Sequence, residues 1–154
     1  MNYWLFKTEP DEFSIDDLAK VDEEGECWEG IRNYQARNFL RDKVAVGDKV
    51  FIYHSSCKNV GIAGIAEVVK SAFPDPFQFN PESKYYDPKS TPENPRWIAV
   101  NVKFVEKFND IIPLARLKKM PELADMVMVQ KGGRLSIQPV DEKHWLAINA
   151  IKGA

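Results

Sequence analysis

The sequence predicts an α+β protein, a small curled sheet or barrel of about five or six strands with flanking helices. Several short segments combine β-branched and aromatic residues with period-2 alternation, which is typical of strands. Glycines interrupt one of these segments, which indicates a bend or a bulge. Helical segments fall between the strands without regular strand–helix alternation, and this order counts against a doubly wound parallel sheet.

The length and composition fit one domain spanning residues 1–154, since 154 residues with 44% hydrophobic content can bury a core. No run approaches the ~18 apolar residues of a membrane span, so no membrane partner is expected. The opening residues lack the basic start and apolar core of a signal peptide. Cys27 and Cys57 provide no disulfide framework, and we therefore expect a cytoplasmic location.

The first third of the chain predicts one strand and two helices. The aromatic and aliphatic run at residues 3–6 indicates a strand. Ser14 can cap a short helix, and Asp17, three residues on, completes the pattern of a capping box. Residues 33–41 predict a second helix from their apolar spacing.

Two further strands are predicted in the middle of the chain. Residues 47–55 alternate, with Val50, Ile52 and His54 on one face. The next segment carries Gly61 and Gly64, which predict a bend or a close approach by another chain segment.

The second half predicts the longest strand, then short helices and a last strand–helix pair. Residues 97–108 give the clearest alternation, and residues 113–126 indicate one or two short helices broken near Pro121. Residues 134–140 predict a late strand. A final helix is expected from about Asp141, with an apolar face formed by Trp145, Ile148 and Ile151.

Residues 73–96 form a proline-rich segment that holds six of the ten prolines together with Phe77, Phe79, Tyr85 and Tyr86. A structureless segment of this length is uncommon in a compact domain. One interpretation is an Ω-type loop packed on the sheet by its own side chains. The other is a rigid flap over a pocket. Because proline reduces the entropy lost on ordering, we expect residues 76–95 to be ordered.

The charge is unevenly distributed, although the net charge is only −2 and the pI is about 5.7. Residues 9–29 carry ten acids and one base, whereas residues 30–154 carry nineteen bases and thirteen acids. The weak overall charge argues against a protein that coats nucleic acid by bulk attraction. The two regions indicate either distinct acidic and basic surfaces or ordinary solvated faces.

Motifs of catalysis are mostly absent. The sequence contains no G-x-S-x-G, no phosphate-binding glycine loop, no H-E-x-x-H and no nucleobase deaminase signature. His54, Cys57 and Cys27 do not complete a zinc-binding spacing, so no metal or cofactor is expected. A nucleophile made of Cys57 with His54 or His144 remains an alternative, although free cysteines are more often buried and inert.

The stretch WEGIRNYQAR at residues 28–37 has the composition of a binding site. Trp28 and Tyr34 offer flat apolar faces, and Asn33 suits either the edge of a base or the cap of a helix. Arg32 lies beside the backbone N–H groups that begin the predicted helix, an arrangement that favours anions.

The stretch KGGRLSIQPV at residues 131–140 is a second candidate. Arg134 follows a pair of glycines, and Ser136 lies on the non-core side of a predicted strand. This pattern suits a phosphate and the polar edge of a ligand.

Several long blocks together resemble the EVE-domain family from residue 2 to about residue 148. They include YWLFKTEPDEFSIDDL, WEGIRNYQARNFLRD, GDKVFIYHSSCKNVGIAGIAEVV and KGGRLSIQPV. The resemblance implies a PUA-like curled β-barrel with flanking helices, and kinship with YTH domains. It also implies a non-catalytic reader that binds a modified base of DNA or RNA, chiefly modified cytosine.

The implied pocket has one wall from Trp28, Asn33 and Tyr34 and another from the end of a strand, with lysines at the rim and Arg134 on a phosphate. The two stretches and the resemblance together give a predicted ligand-binding set of Lys7, Trp28, Arg32, Asn33, Tyr34, Tyr53, His54, Ser55, Lys58, Arg134 and Ser136. Two alternatives stay open. One is an enzyme acting on nucleotides or nucleic acid through His54 or Cys57, and the other is a protein–protein adaptor using the acidic residues 9–29.

Overall fold

A computed structural model describes residues 1–130 and 135–152, and six strands within them form one mixed sheet. The strands are ordered β2-β5-β4-β3-β1-β6 across the sheet, so the α+β prediction with about six strands is confirmed. The outer strands β2 and β6 do not pair with each other among these residues, and the sheet is therefore curled but not closed. The strands are β1 Tyr3–Thr8, β2 Glu26–Trp28, β3 Lys49–His54, β4 Gly61–Pro74, β5 Ile98–Pro113 and β6 Ile137–Val140.

Residues 1–130 and 135–152 also contain four α-helices and three short 3₁₀ helices. Within the same ranges of the chain, no helix has the length and apolar character needed to cross a bilayer. The helices are α1 Ile15–Ala19, α2 Tyr34–Asp42, α3 Leu114–Leu117 and α4 Glu142–Ile151, and the 3₁₀ turns are Pro76–Phe79, Pro121–Leu123 and Val127–Val129.

The sheet combines a parallel pair with an antiparallel meander. Strand β1 runs parallel to β3 and antiparallel to β6, whereas β3, β4 and β5 follow one another as antiparallel neighbours. Several register shifts interrupt the β4–β5 pairing and curl the sheet. Gly61 and Gly64 lie at this curl, and a Cβ atom on either would collide with a backbone carbonyl of β5. The predicted close approach at these glycines is therefore confirmed.

The sheet is covered on both faces, as the alternation of β3 shows. Val50 and Ile52 belong to one buried cluster with Trp4 and Phe6, which α2 covers. Phe51 and Tyr53 belong to a second cluster with residues of α4, including Trp145. The Phe51 and Trp145 rings stack with their centroids 4.0 Å apart.

The capping residues predicted at the starts of α1 and α2 are confirmed. The Ser14 hydroxyl accepts a hydrogen bond from the Asp17 amide, and the Asp17 carboxylate accepts one from the Ser14 amide. The side chain of Asn33 likewise accepts from the Ala36 amide at 3.0 Å and caps α2. Strand β2 was not predicted, because three residues at the edge of a sheet are too short to show an alternation.

The proline-rich segment is ordered against the sheet through Gln78. This side chain is buried, donates to the carbonyls of Asp75 and Trp97, and accepts from the amides of Arg96 and Trp97. The Trp97 indole also donates to Asp87 at 2.8 Å. These contacts fix the segment at both ends, in agreement with the packed-loop interpretation.

Candidate nucleobase-binding cavity

A cavity of about 790 Å³ opens at one edge of the sheet. Strands β1 and β3 are parallel neighbours, so the ends of both lie at this edge. The Ser55 amide donates to the Thr8 carbonyl at 2.9 Å, and the Lys7 amide donates to the Ser136 carbonyl at 2.9 Å. Three chain segments that are distant in sequence thus meet at the cavity.

Strand β2, the turn after it and the proline-rich segment complete the lining. Residues 26–31 contribute one wall, and Lys84 and Tyr85 of the proline-rich segment adjoin it. The flap interpretation of the proline-rich segment therefore applies to two of its residues, while the rest packs as a loop.

Four residues of the predicted ligand-binding set line this cavity: Lys7, Trp28, Ser55 and Ser136. Trp28 is mainly a core residue, since it is 7% exposed and its ring lies 5.7 Å from Phe6 and 6.0 Å from Phe13, centroid to centroid. It offers the cavity part of its surface and not a whole face.

Three predicted residues of the 28–37 stretch lie outside the lining. Asn33 uses its side-chain oxygen for the cap of α2. Tyr34 is 51% exposed and stacks on Trp97 with the ring centroids 4.8 Å apart. Arg32 supports the wall from behind, because its guanidinium bonds Asp75 at 2.9 Å and the Tyr85 carbonyl at 2.8 Å.

The remaining predicted residues of β3 and its loop also lie elsewhere. Tyr53 is buried in the second core cluster, and burial raises its pKa to about 12. His54 and Lys58 line a separate cavity of about 660 Å³. There the Nε2 atom of His54 accepts a hydrogen bond from the Ile15 amide at 3.1 Å, and burial lowers the pKa of the imidazole. Arg134 lies outside the described residues.

Sequence reasoning missed Tyr85 as part of the site. Its ring is held by the Arg32 guanidinium, 5.3 Å from the ring centroid, and by Gly30, which packs directly against it. Asp75 accepts from the Gly30 amide at 2.9 Å and so fixes this turn. The cluster of aromatics among the prolines was the only signal in the sequence, and it did not distinguish Tyr85 from its neighbours.

Sequence reasoning also missed the acidic character of the lining, which includes Glu9, Glu12, Glu26 and Glu29 against two lysines, Lys7 and Lys84. The Lys84 ammonium pairs with Glu12 at 3.1 Å. Such a lining disfavours a phosphate and favours a neutral group that carries N–H donors.

Burial shapes the protonation of the cavity wall. Desolvation raises the pKa of Glu29, and a hydrogen bond from its own backbone amide opposes this effect. The carboxylates of Asp75 and Glu26 raise the pKa further, while Arg32 lowers it. Desolvation also raises the pKa of the Cys27 thiol to about 12. Because the thiolate is the reactive form, Cys27 is a poor nucleophile at neutral pH.

Metal-ligand side chains come together at a different place. Asp125, Asp141 and His144 place ligand atoms within 4.8 Å of one another. The two Asp125 oxygens already bond Lys143 and His144, each at 2.8 Å, so these contacts account for the cluster without a metal. Across residues 1–130 and 135–152, the sulfur and histidine side chains of Cys27, His54 and Cys57 form no such group.

The sequence matches one protein family and several individual relatives. The EVE domain model matches residues 2–151. Thymocyte nuclear protein 1 of Homo sapiens is 42% identical over 161 residues, covering 94% of this chain and 71% of the relative. Uncharacterized protein C21.03c of Schizosaccharomyces pombe is 37% identical over 162 residues, covering 97% of this chain and 67% of the relative.

Solved structures extend the similarity to the whole fold. A protein from Pseudomonas putida is 50% identical with a TM-score of 0.91, covering 96% of this chain and 97% of the other. The human THYN1 protein, crystallised in complex with DNA containing 5-methylcytosine, is 40% identical with a TM-score of 0.92. The match covers 98% of this chain and 97% of the human one. An ASCH protein from Zymomonas mobilis, at 10% identity and a TM-score of 0.57, shares the fold alone.

The prediction of a cytoplasmic location is wrong, because it conflicts with relatives that are nuclear proteins by name. Cysteine content cannot separate the two compartments, since thiols stay reduced in both. The agreement in sequence and structure extends over nearly the whole chain, and the chain therefore belongs to the EVE-domain family.

Proposed function

We propose that this chain is a non-catalytic reader that binds a modified base of DNA in the 790 Å³ cavity. The observation that carries the proposal is the complex of the human THYN1 protein with DNA containing 5-methylcytosine, a protein that shares this fold at a TM-score of 0.92. At 40% identity, the relative's ligand is the best guide to the ligand of this chain.

The cavity suits an extruded base better than a stretch of DNA backbone. Tyr85 supplies an aromatic ring at the rim, and Lys7, Ser55 and Ser136 supply polar contacts around the opening. Extruding a base from a duplex costs a few kcal/mol of free energy, and stacking of that base on an aromatic ring contributes ~1–3 kcal/mol in favour of binding. A methyl group buried in the cavity adds ~0.8 kcal/mol, which favours the modified base.

The test is a titration of matched oligonucleotides that differ only in one base. We expect DNA with a central 5-methylcytosine to bind at least several-fold tighter than its cytosine twin. An RNA pair of the same sequence tests the polymer. Equal binding within both the DNA pair and the RNA pair would refute the reader function, and a preference seen only in RNA would change its substrate.

Tyr85 is a better probe of the cavity than Trp28. Trp28→Ala removes a buried core side chain, which typically costs about 3–5 kcal/mol, so its effect on binding would not be specific. Tyr85→Ala should weaken the 5-methylcytosine strand by about ten-fold, from lost stacking. Tyr86→Ala is the matched control, because Tyr86 is 41% exposed and does not line the cavity.

A further inference from the structure

Glu29 lies where strand β2 ends and lines the proposed base cavity. The next residue, Gly30, packs against the ring of Tyr85, since a Cβ built on Gly30 would lie 2.6 Å from that ring. The carboxylate and the aromatic ring are thus supplied by adjoining segments of the cavity wall. Glu29 and Tyr85 therefore belong to the same cavity lining.

The Glu29 carboxylate is half-buried and accepts a hydrogen bond from its own backbone amide. Among the residues that the structure describes, it has no hydrogen bond or ion pair with another side chain. Glu12 differs, because it pairs with Lys84, and Asp75 differs, because it accepts from Gly30, Arg32 and Phe77. Two carboxylate oxygens have about four acceptor positions, so one backbone donor leaves room for a ligand N–H, which would offset part of the desolvation cost.

We propose that Glu29 is the residue that specifies cytosine, by accepting a hydrogen bond from the 4-amino group of the bound base. This inference rests on the proposed reader function. A carboxylate only accepts hydrogen bonds, and glutamate accepts from the N4 amino group of cytosine in known base contacts.

The 4-position is the informative one for a reader of 5-methylcytosine. Thymine carries the same 5-methyl group, so burial of the methyl cannot separate the two bases. Thymine differs by presenting the O4 acceptor where cytosine presents its amino donor. The Glu29 carboxylate attracts the amino group and repels O4, so it distinguishes bases that the apolar part of the cavity treats alike.

Glutamine at this position should remove the distinction while preserving shape. The amide of Glu29→Gln offers both a donor and an acceptor, and it can turn to suit either base. Glu29→Ala removes both groups. Glu82→Gln makes the same change of charge at an exposed position that does not line the cavity, and it serves as the matched control.

The experiment uses the full chain and single-stranded DNA of one sequence with 5-methylcytosine, cytosine, thymine or uracil at its centre. Dissociation constants are measured by fluorescence anisotropy, and circular dichroism checks each variant's fold. We expect wild type and Glu82→Gln to prefer 5-methylcytosine over thymine by about ten-fold or more. Glu29→Gln should bind the two within about three-fold, and Glu29→Ala should lose affinity for 5-methylcytosine.

The panel separates this inference from the reader function. Preference for 5-methylcytosine over cytosine tests the reader alone, because both bases carry the same amino group. A wild type that binds 5-methylcytosine and thymine alike, or a Glu29→Gln variant that keeps the full preference, overturns the role of Glu29. Binding to none of the strands overturns both, whereas cytosine preferred over uracil without any effect of the methyl group supports Glu29 and refutes the reader.

Discussion

The Arg32 guanidinium bonds the fully buried Asp75 carboxylate at 2.9 Å. Asp75 also accepts from the Gly30 amide, and Arg32 also donates to the Tyr85 carbonyl. This pair therefore joins the wall at residues 26–31 to the proline-rich segment and holds Tyr85 in position. Arg32, predicted to contact ligand, shapes the cavity from behind in the structure.

Asp75→Ala should destabilise the protein by about 3 kcal/mol, because it leaves Arg32 and the backbone donors of Gly30 and Phe77 without their acceptor. The measurement is urea denaturation. Asp42→Ala is the control, since the Arg41–Asp42 pair is surface-exposed and should contribute about 0.5 kcal/mol or less. Similar losses in the two variants would show that the Arg32–Asp75 pair has no special structural role.

Gly30→Ala should reduce both stability and binding of a modified base. Gly30 has a φ of +82°, and an added methyl group would displace the Tyr85 ring. Gly47→Ala is matched to it, because Gly47 has a φ of +93° but nothing within 4 Å of its Cβ position. Each should lose about 1 kcal/mol from backbone strain, and Gly30→Ala should lose more and bind DNA less tightly. If Gly30→Ala and Gly47→Ala lose the same stability, and both bind DNA as wild type does, Tyr85 lies outside the site.

His54 should make the protein less stable in mild acid. Burial lowers its folded pKa below the value of about 6.5 typical of unfolded chains. Its contribution to stability is therefore complete above about pH 6.5 and declines as the pH falls from there towards the folded pKa. The free energy of unfolding, measured against pH, should show this decline.

His54→Gln should reduce that decline, since its side-chain oxygen can still accept from the Ile15 amide but does not titrate. Its stability at pH 8 should lie within about 1 kcal/mol of wild type, if one ordinary hydrogen bond is exchanged for another. An undiminished pH dependence in this variant would assign the effect to other groups.

Cys27 should react slowly with iodoacetamide in the folded protein, because burial raises its thiol pKa to about 12. Mass spectrometry of tryptic peptides would measure the rate, and the same protein in denaturant provides the reference. Rapid alkylation of folded Cys27 at pH 7 would contradict the burial of its thiol. Cys27→Ser should leave binding of 5-methylcytosine DNA within about two-fold if the thiol only fills space.

Arg134 stays a prediction as a phosphate contact. Arg134→Ala should weaken an oligonucleotide much more than a nucleoside and should flatten the salt dependence of binding by about one unit of slope. Arg41→Ala makes the same change of charge at an exposed residue paired with Asp42, and it should leave the slope unaltered. Equal losses for oligonucleotide and nucleoside would mean that Arg134 contacts the base or supports the fold.

The sequence by itself determined the features that depend on near neighbours and on periodicity. The capping box at Ser14, the cap at Asn33 and the two apolar faces of β3 follow from residues a few positions apart. Family membership also followed from the sequence, because several long blocks agree in order. Strand β2 could not be predicted from the sequence, because its pairing with β5 joins residues about seventy positions apart.

Only the tertiary structure decided which polar groups are available to a ligand. A residue type gives a capacity for hydrogen bonds, but partners distant in the chain decide whether that capacity is already used. The Arg32 guanidinium is occupied by Asp75, 43 residues away, and Tyr34 stacks on Trp97 outside the cavity. Glu29, by contrast, lines the cavity without a side-chain partner among the described residues, and folding brings Tyr85 against the adjacent Gly30.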